Sequence, residues 1–180
     1  MQNKYTMAMI PESLAGFNVY EGDTGDKFLA QTGNMTLATL TAMTNEVTGA
    51  GIAGSYNAPA AGNYQSISQE IPLTAPTPQS FRFMNPMERS VLNIRGMVQV
   101  VDRSTGTRDR VPLRIMLSGY GTAISPGTLQ AGNPLGSTLT MEVTHIKIVL
   151  GNETVFEVDK LNQVCIIDGT DIFEEIRRYC

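Results

Sequence analysis

The chain has 180 residues, 42% of them hydrophobic, with one histidine and no tryptophan. That length fits one ordinary domain with a buried core, and two cysteines, Cys165 and Cys180, are too few for a disulfide framework. A formal charge of −4 lacks the basic footprint of a nucleic-acid-gripping protein, and no apolar run reaches the about 20 residues that span a bilayer.

The opening "MQNKYTMAMIPES" carries one lysine and an apolar patch too short for a secretory signal, so synthesis and folding in a cytoplasm are expected. "AGFNVYEGD" predicts a short strand that ends in a turn at Gly22-Asp23. Met35–Met43, "MTLATLTAM", predicts a second strand on its β-branched and apolar content. Residues 44–65 read as a long hairpin loop rich in Gly, Ala, Asn and Pro, between extended arms near Glu46–Val47 and Tyr64–Glu70. A loop of that size is more often functional than incidental. "PLTAPTPQS", at about 72–80, reads as an extended proline-rich connection.

The second half alternates more clearly. In "SVLNIRGMVQVVD", Leu92, Ile94, Val98 and Val100 share one face while Asn93, Arg95 and Gln99 share the other. "RSTGTRD" is a turn, and Val111, Leu113, Ile115 and Leu117 answer from the returning strand, so this is an antiparallel hairpin. "TLTMEVTHIKIVL", "TVFEVD" and "NQVCIID" predict three more strands, with Cys165 a buried small hydrophobe. "TDIFEEIRRY" closes with Asp171 and Glu174 at capping-box spacing, acids early and Arg177 and Arg178 late, which predicts a short C-terminal helix.

Residues 49–54, "GAGIAG", match the G-x-G-x-x-G pattern of a dinucleotide loop, and Glu70 stands about 20 positions on. That chemistry needs a helix N-terminus directly behind the glycines. The continuation "SYNAPAAGN" has Pro59 and Gly62 where helical turns would be, so a cofactor role is not expected and the glycines serve a sharp turn or a close backbone approach. His145 has no second histidine to help it hold a metal, and no G-x-S-x-G elbow supports a nucleophile. Glu46, Glu70, Glu142 and Glu157 form no evident pair. The expectation is no enzyme, no cofactor and no metal. A wide sheet with a polar second face must hide its edges, and a ring of identical sheets would do so.

The C-terminal stretch "EVTHIKIVLGNETVFEVDKLNQVCIIDGTDIFEEIRR" resembles the end of the major tail tube proteins of contractile-tailed bacteriophages and of phage-tail-like bacteriocins. The resemblance rests on Val158-Asp159, Asn162, the turn at Asp168-Gly169, Asp171 and Arg177-Arg178. It extends to "GAGIAG" and to the hairpin "IRGMVQVVDRSTGTRDRVPLRIMLSGY". It departs at "PLTAPTPQSFRFMNPMERS", where a family helix would be short, around Asn85–Arg89, or absent.

The resemblance implies a mainly β fold: an antiparallel sheet sandwich or half-barrel with a short C-terminal helix, its sheets joining into a continuous β-barrel on ring formation. It implies a structural subunit of the inner tube of a contractile phage tail or tail-like particle. Homohexameric rings stack, the lumen conducts DNA without specific binding, and sheath contraction drives the tube into the cell envelope. The implied partners are the chain itself and the tail sheath, baseplate, tape-measure and tail-terminator proteins, with no stable membrane insertion. The virion tail would be assembled in the host bacterial cytoplasm. On this reading Gly49, Gly51, Ile52, Gly54 and Tyr56 contact the adjacent ring, and Arg95, Gln99 and Arg114 line the lumen or meet neighbouring subunits. The alternatives are a tube-initiating baseplate ring, a secretion-system tube protein, or a small β-rich ligand-binding module.

Overall fold

A computed structural model describes residues 9–22 and 34–180. In chain order the strands are β1 (Met9–Glu21), β2 (Ala42–Thr48), β3 (Ser55–Tyr64), β4 (Ser68–Leu73), β5 (Ser90–Asp102), β6 (Arg108–Ser125), β7 (Ser137–Leu150), β8 (Glu153–Asp159), β9 (Val164–Ile167) and β10 (Thr170–Asp171). Helix α1 (Pro78–Arg82) lies between β4 and β5, and α2 (Glu174–Tyr179) follows β10. The main sheet has eight strands in the order β1-β5-β6-β7-β8-β9-β10, with β4 also pairing β7, and β2 and β3 form a separate two-stranded sheet. Every pairing is antiparallel. The chain is therefore mainly β with a short C-terminal helix, as its alternation implies, and among the described residues the sheet is open rather than closed into a barrel.

Uninterrupted period-two patterning builds the central hairpin. Ile94 faces Ile115, Leu92 faces Leu117 and Val98 faces Val111, which puts the apolar side chains of both strands on one face. Leu92, Ile94, Val100, Val111, Ile115 and Leu117 are buried, and burying each such side chain stabilises by about 1.5–3 kcal/mol. The turn is set by Asp102, whose Oδ1 accepts from Ser104 N at 2.7 Å and Thr105 N at 3.2 Å, and by Gly106 at φ +69°.

Beyond the hairpin the sheet bends. Ser118 pairs His145 while Gly119 pairs Val143, so Thr144 is an extra residue on β7; Gly121 pairs Met141 while Ala123 pairs Thr140, so Thr122 is extra on β6. Burial on β7 accordingly switches phase, from Leu139, Met141 and Val143 to Ile146. At the bend Gly119 and Gly121 admit no side chain, because a Cβ would lie 1.9 Å from Glu142 O and 2.0 Å from Phe83 O respectively. β7 is shared end to end: its first half takes β4 as partner and its second half takes β8. The curl brings Ile71 and Leu73 of β4 into one core with Phe83, Val158 and Cys165.

Three expectations are corrected. Residues 34–41 form no strand; that segment is held instead by Gln69, whose Oε1 accepts from Ala38 N at 2.9 Å and whose Nε2 donates to Thr36 O at 2.8 Å. Most of the 44–65 span is paired strand, with only 49–54 left as the tip between β2 and β3. The helix falls at Pro78–Arg82 rather than Asn85–Arg89, inside the segment read as an extended connection. Thr77 caps it, with Pro78 in its first turn, and Thr77 and Ser80 form a reciprocal capping box. The strand predicted at "AGFNVYEGD" is real but longer, beginning at Met9, and it ends where Gly22 turns at φ +71°. Asp23 lies outside the described residues.

Candidate functional site

Two features stand apart from the core. The first is the arm formed by β2 and β3, which among the described residues pairs with no strand of the main sheet. Thr48 faces Ser55 and Val47 faces Tyr56. The tip closes with Ile52 N donating to Gly49 O at 3.1 Å and Gly54 N to Ile52 O at 3.0 Å. Gly51 at φ +93° and Gly54 at φ +109° supply backbone conformations that an L side chain resists. A Cβ at Gly49, Gly51 or Gly54 would meet no atom of the described residues within 4 Å, so within this chain the glycines serve the turn and not a close approach. Because the residue after Gly54 opens a strand, "GAGIAG" leads into no helix N-terminus. The arm leaves Met43, Ile52 and Tyr56 exposed, Tyr56 by 55%.

The second feature is the polar face of β1, β5 and β6. Arg95 and Arg114 lie directly opposite one another across the hairpin, and Gln99 lies opposite Arg110. The Arg95 guanidinium rests 4.7 Å from the centroid of the Tyr20 ring, a cation–π contact. Gln99 is engaged on the same face: its Nε2 donates to Glu12 Oε2 at 2.7 Å, and Arg108 Nε lies 3.2 Å from the same oxygen. The structure thus brings Arg95, Gln99 and Arg114 onto one face, well separated in kind from the apolar arm tip. Further along, His145 Nε2 lies 3.0 Å from Glu157 Oε1 and Lys147 Nζ 2.9 Å from Glu157 Oε2, so histidine and lysine share one carboxylate.

Other ionisable groups act locally. Glu142 receives Ser66 Oγ at 2.6 Å and Lys160 Nζ at 3.6 Å, tying the β3–β4 connection to β7. Burial pushes the Asp159 carboxyl up, but hydrogen bonds from the Asn162 side chain and from the Asn162 and Leu161 amides prevail and hold it below the usual carboxylate range. Burial, then the charge of Asp171, push the Cys165 thiol up, which suits a buried apolar role. Among the described residues no group of three or more His, Cys, Asp and Glu could hold a metal ion.

One residue escaped sequence reasoning. Phe173 packs its ring on Gly62 at the root of the arm, where a Cβ would lie 2.6 Å from the ring. No local pattern links two residues so distant in the chain, and the sequence shows only a glycine where the structure has a positive φ.

An open antiparallel sheet curled over one core, with a paired arm standing off it, defines a mainly β protein. The chain belongs to the phage tail tube protein FII family, whose model matches residues 11–179. The family is structural and not enzymatic, and its members are components of the tail. Among solved structures, a PVC sheath/tube terminator in the extended state, from an extracellular contractile injection system, is 14% identical with a TM-score of 0.53. That alignment covers 78% of this chain and 97% of the other. A chain of the six-fold symmetrised baseplate of the anti-feeding prophage is 15% identical, with a TM-score of 0.48 over 78% of this chain and 96% of the other. At such identity the first likeness speaks for the fold. No curated protein sequence matches the chain.

Proposed function

We propose that this chain is the repeating subunit of the inner tube of a contractile tail or tail-like particle. Six copies form a ring, their sheets join into one continuous β-barrel, and rings stack into a tube. The lumen passes DNA without specific binding, and sheath contraction drives the tube into the cell envelope. Assembly takes place in the host cytoplasm, on a baseplate and around a tape-measure protein, beneath the sheath and up to a terminator. The tube makes no stable membrane insertion of its own. The whole of residues 1–180 acts as one tube domain.

The observation that carries this reading is the arm. A two-stranded hairpin with exposed Met43, Ile52 and Tyr56 is marginal alone in water and gains its stability by packing on something else. β1, with Ile10 and Leu14 each about half exposed, pairs among the described residues with β5 alone, and its other edge is offered to a neighbouring sheet. In this arrangement Gly49, Gly51, Ile52, Gly54 and Tyr56 contact the adjacent ring, and Arg95, Gln99 and Arg114 line the lumen or a subunit interface.

Replacing residues 49–54 by an Asn-Gly turn tests it. That turn closes a two-residue hairpin without the apolar tip. The purified variant is expected to keep its fold by circular dichroism and to yield no long tubes in negative-stain electron micrographs. Normal long tubes would refute the assignment of the arm to ring stacking. A wild-type protein that forms single rings and never stacks would point instead to a tube-initiating or capping ring.

A further inference from the structure

At its root the arm is strongly bulged. Ala42 pairs Tyr64 and Thr44 pairs Pro59, so Ala60, Ala61, Gly62 and Asn63 all lie opposite Met43. An interruption of that kind releases the arm's direction from the strand ladder, and something else must set it. Immediately after the bulge the chain is well anchored: Tyr64 meets Phe156 edge-on with ring centroids 5.5 Å apart, and Lys160 Nζ donates to Gln65 O at 2.8 Å. The bulge itself rests on Phe173. Gly62 has φ +75°, and a Cβ there would lie 2.6 Å from Phe173 Cε2 and 2.7 Å from Cζ.

Phe173 is itself clamped. Its N–H donates to Asp171 Oδ1 at 3.0 Å, and its carbonyl accepts from Arg177 N at 2.9 Å. The Asp171 carboxylate pairs with the Arg177 guanidinium, whose Nη1 also donates to Gln163 O at 2.5 Å. Gln163 and Asp171 thus tie the C-terminal turn down on either side of the Cys165 strand. The ring is a fixed abutment, and the flat space above Gly62 fits it closely.

We propose that Phe173 is a positioning residue that fixes the direction in which the β2–β3 arm leaves the body, acting through its contact with Gly62. The relevance of that direction to tube building rests on the assignment of the arm to ring stacking. The C-terminal turn, far from the tip in sequence, then decides where Ile52 and Tyr56 arrive on a neighbour. Gly62 is required twice over, by its positive φ and by the ring above it.

Spin labels test this in the full chain. Cys180→Ser removes the exposed thiol, Cys165 is buried, and Ala53→Cys and Glu153→Cys place one label at the arm tip and one on the body. The labelled protein is diluted into excess unlabelled protein so that only distances within a chain are read by pulsed electron–electron resonance. The parent should show one narrow distribution. Phe173→Ala should roughly double its width, as for a segment freed from a packing contact, and Phe173→Leu should restore most of the narrowness. Gly62→Ala, which keeps the ring but intrudes on it, should shift the mean distance. An unchanged distribution in both Phe173→Ala and Gly62→Ala overturns the proposal, whatever the tubes look like. A broadened distribution together with normal tubes leaves Phe173 as the positioning residue and refutes the arm's part in stacking instead.

Discussion

Gly121 donates its backbone N–H to the carbonyl of Phe83 at 3.1 Å, and that same carbonyl oxygen lies 2.0 Å from where a Gly121 Cβ would be. The contact joins the bend of β6 to the segment after α1, and Phe83 is itself fully buried. Only a residue without a side chain can bring these two backbones together. Gly121→Ala must therefore push the segment around Phe83 outward or unbend β6. The expected loss is about 1–3 kcal/mol or more, typical of overpacking, read as a lowered urea midpoint. A midpoint equal to the parent's would show that the bend tolerates a methyl group.

Gln69 holds residues 34–40 to the body. It is 1% exposed, and its amide accepts from Ala38 N while donating to Thr36 O at 2.8 Å and Glu70 O at 2.6 Å. Gln69→Leu keeps the volume but strands those backbone groups, which should cost about 1–3 kcal/mol for unsatisfied buried polar atoms. Limited proteolysis should then cut within 34–41 well before the core opens. Resistance equal to the parent's would mean that the apolar side chains Met35 and Leu40 suffice to hold the strap.

Much of this fold was legible because much of it obeys local rules. β5 and the stretch of β6 that faces it, Arg108–Gly119, pair without a bulge, so faces and pairing could be read directly, and Arg95, Gln99 and Arg114 fell on one face as their spacing implies. Residues 34–41 have strand-like composition, yet Thr36 and Ala38 bond to the side chain of Gln69, and no periodicity reports such a partner. β3 failed the other way. β-propensity largely measures packing against neighbours on a sheet face, and an arm that among the described residues pairs with no strand of the main sheet needs no β-branched alternation. "SYNAPAAGNY" therefore reads as loop and forms a strand. The prolines around Thr77 suggest extension, but one of them occupies the first turn of a capped helix.

Acid should weaken the turn after β8. Asp159 Oδ1 accepts from Leu161 N at 3.0 Å and Asn162 N at 3.1 Å, and Oδ2 from Asn162 Nδ2 at 2.7 Å. Although burial opposes ionisation, these bonds leave the carboxyl below its ordinary value. A carboxylate depressed in the folded state contributes stability above its unfolded value of about 3.9 and loses it as pH falls through the folded one. Urea midpoints should thus decline as pH drops below about 4. Asp159→Asn should be less stable than the parent at neutral pH and show a shallower decline in acid. Some decline should persist, because Arg177 holds Asp171 low and Ser104 holds Asp102 low in the same sense. Parallel curves for parent and variant would remove Asp159 from the account.

The opposed arginines give a contrast that separates two physical terms. Like charges directly opposite on an antiparallel pair are destabilising, and Arg95 and Arg114 are such a pair. Arg95 is half-buried on the Tyr20 ring, whereas Arg114 is exposed. Arg114→Gln should therefore relieve repulsion and slightly raise the urea midpoint of the dissociated protein. Arg95→Gln relieves the same repulsion but gives up a cation–π contact of about 0.5–1 kcal/mol, so its midpoint should stay level or fall. Added salt should shrink the gain from Arg114→Gln, because exposed charges are screened within about 10 Å at 0.1 M ionic strength. Midpoints equal to the parent's for both variants at every salt concentration would show that neither the repulsion nor the Tyr20 contact acts in the free chain.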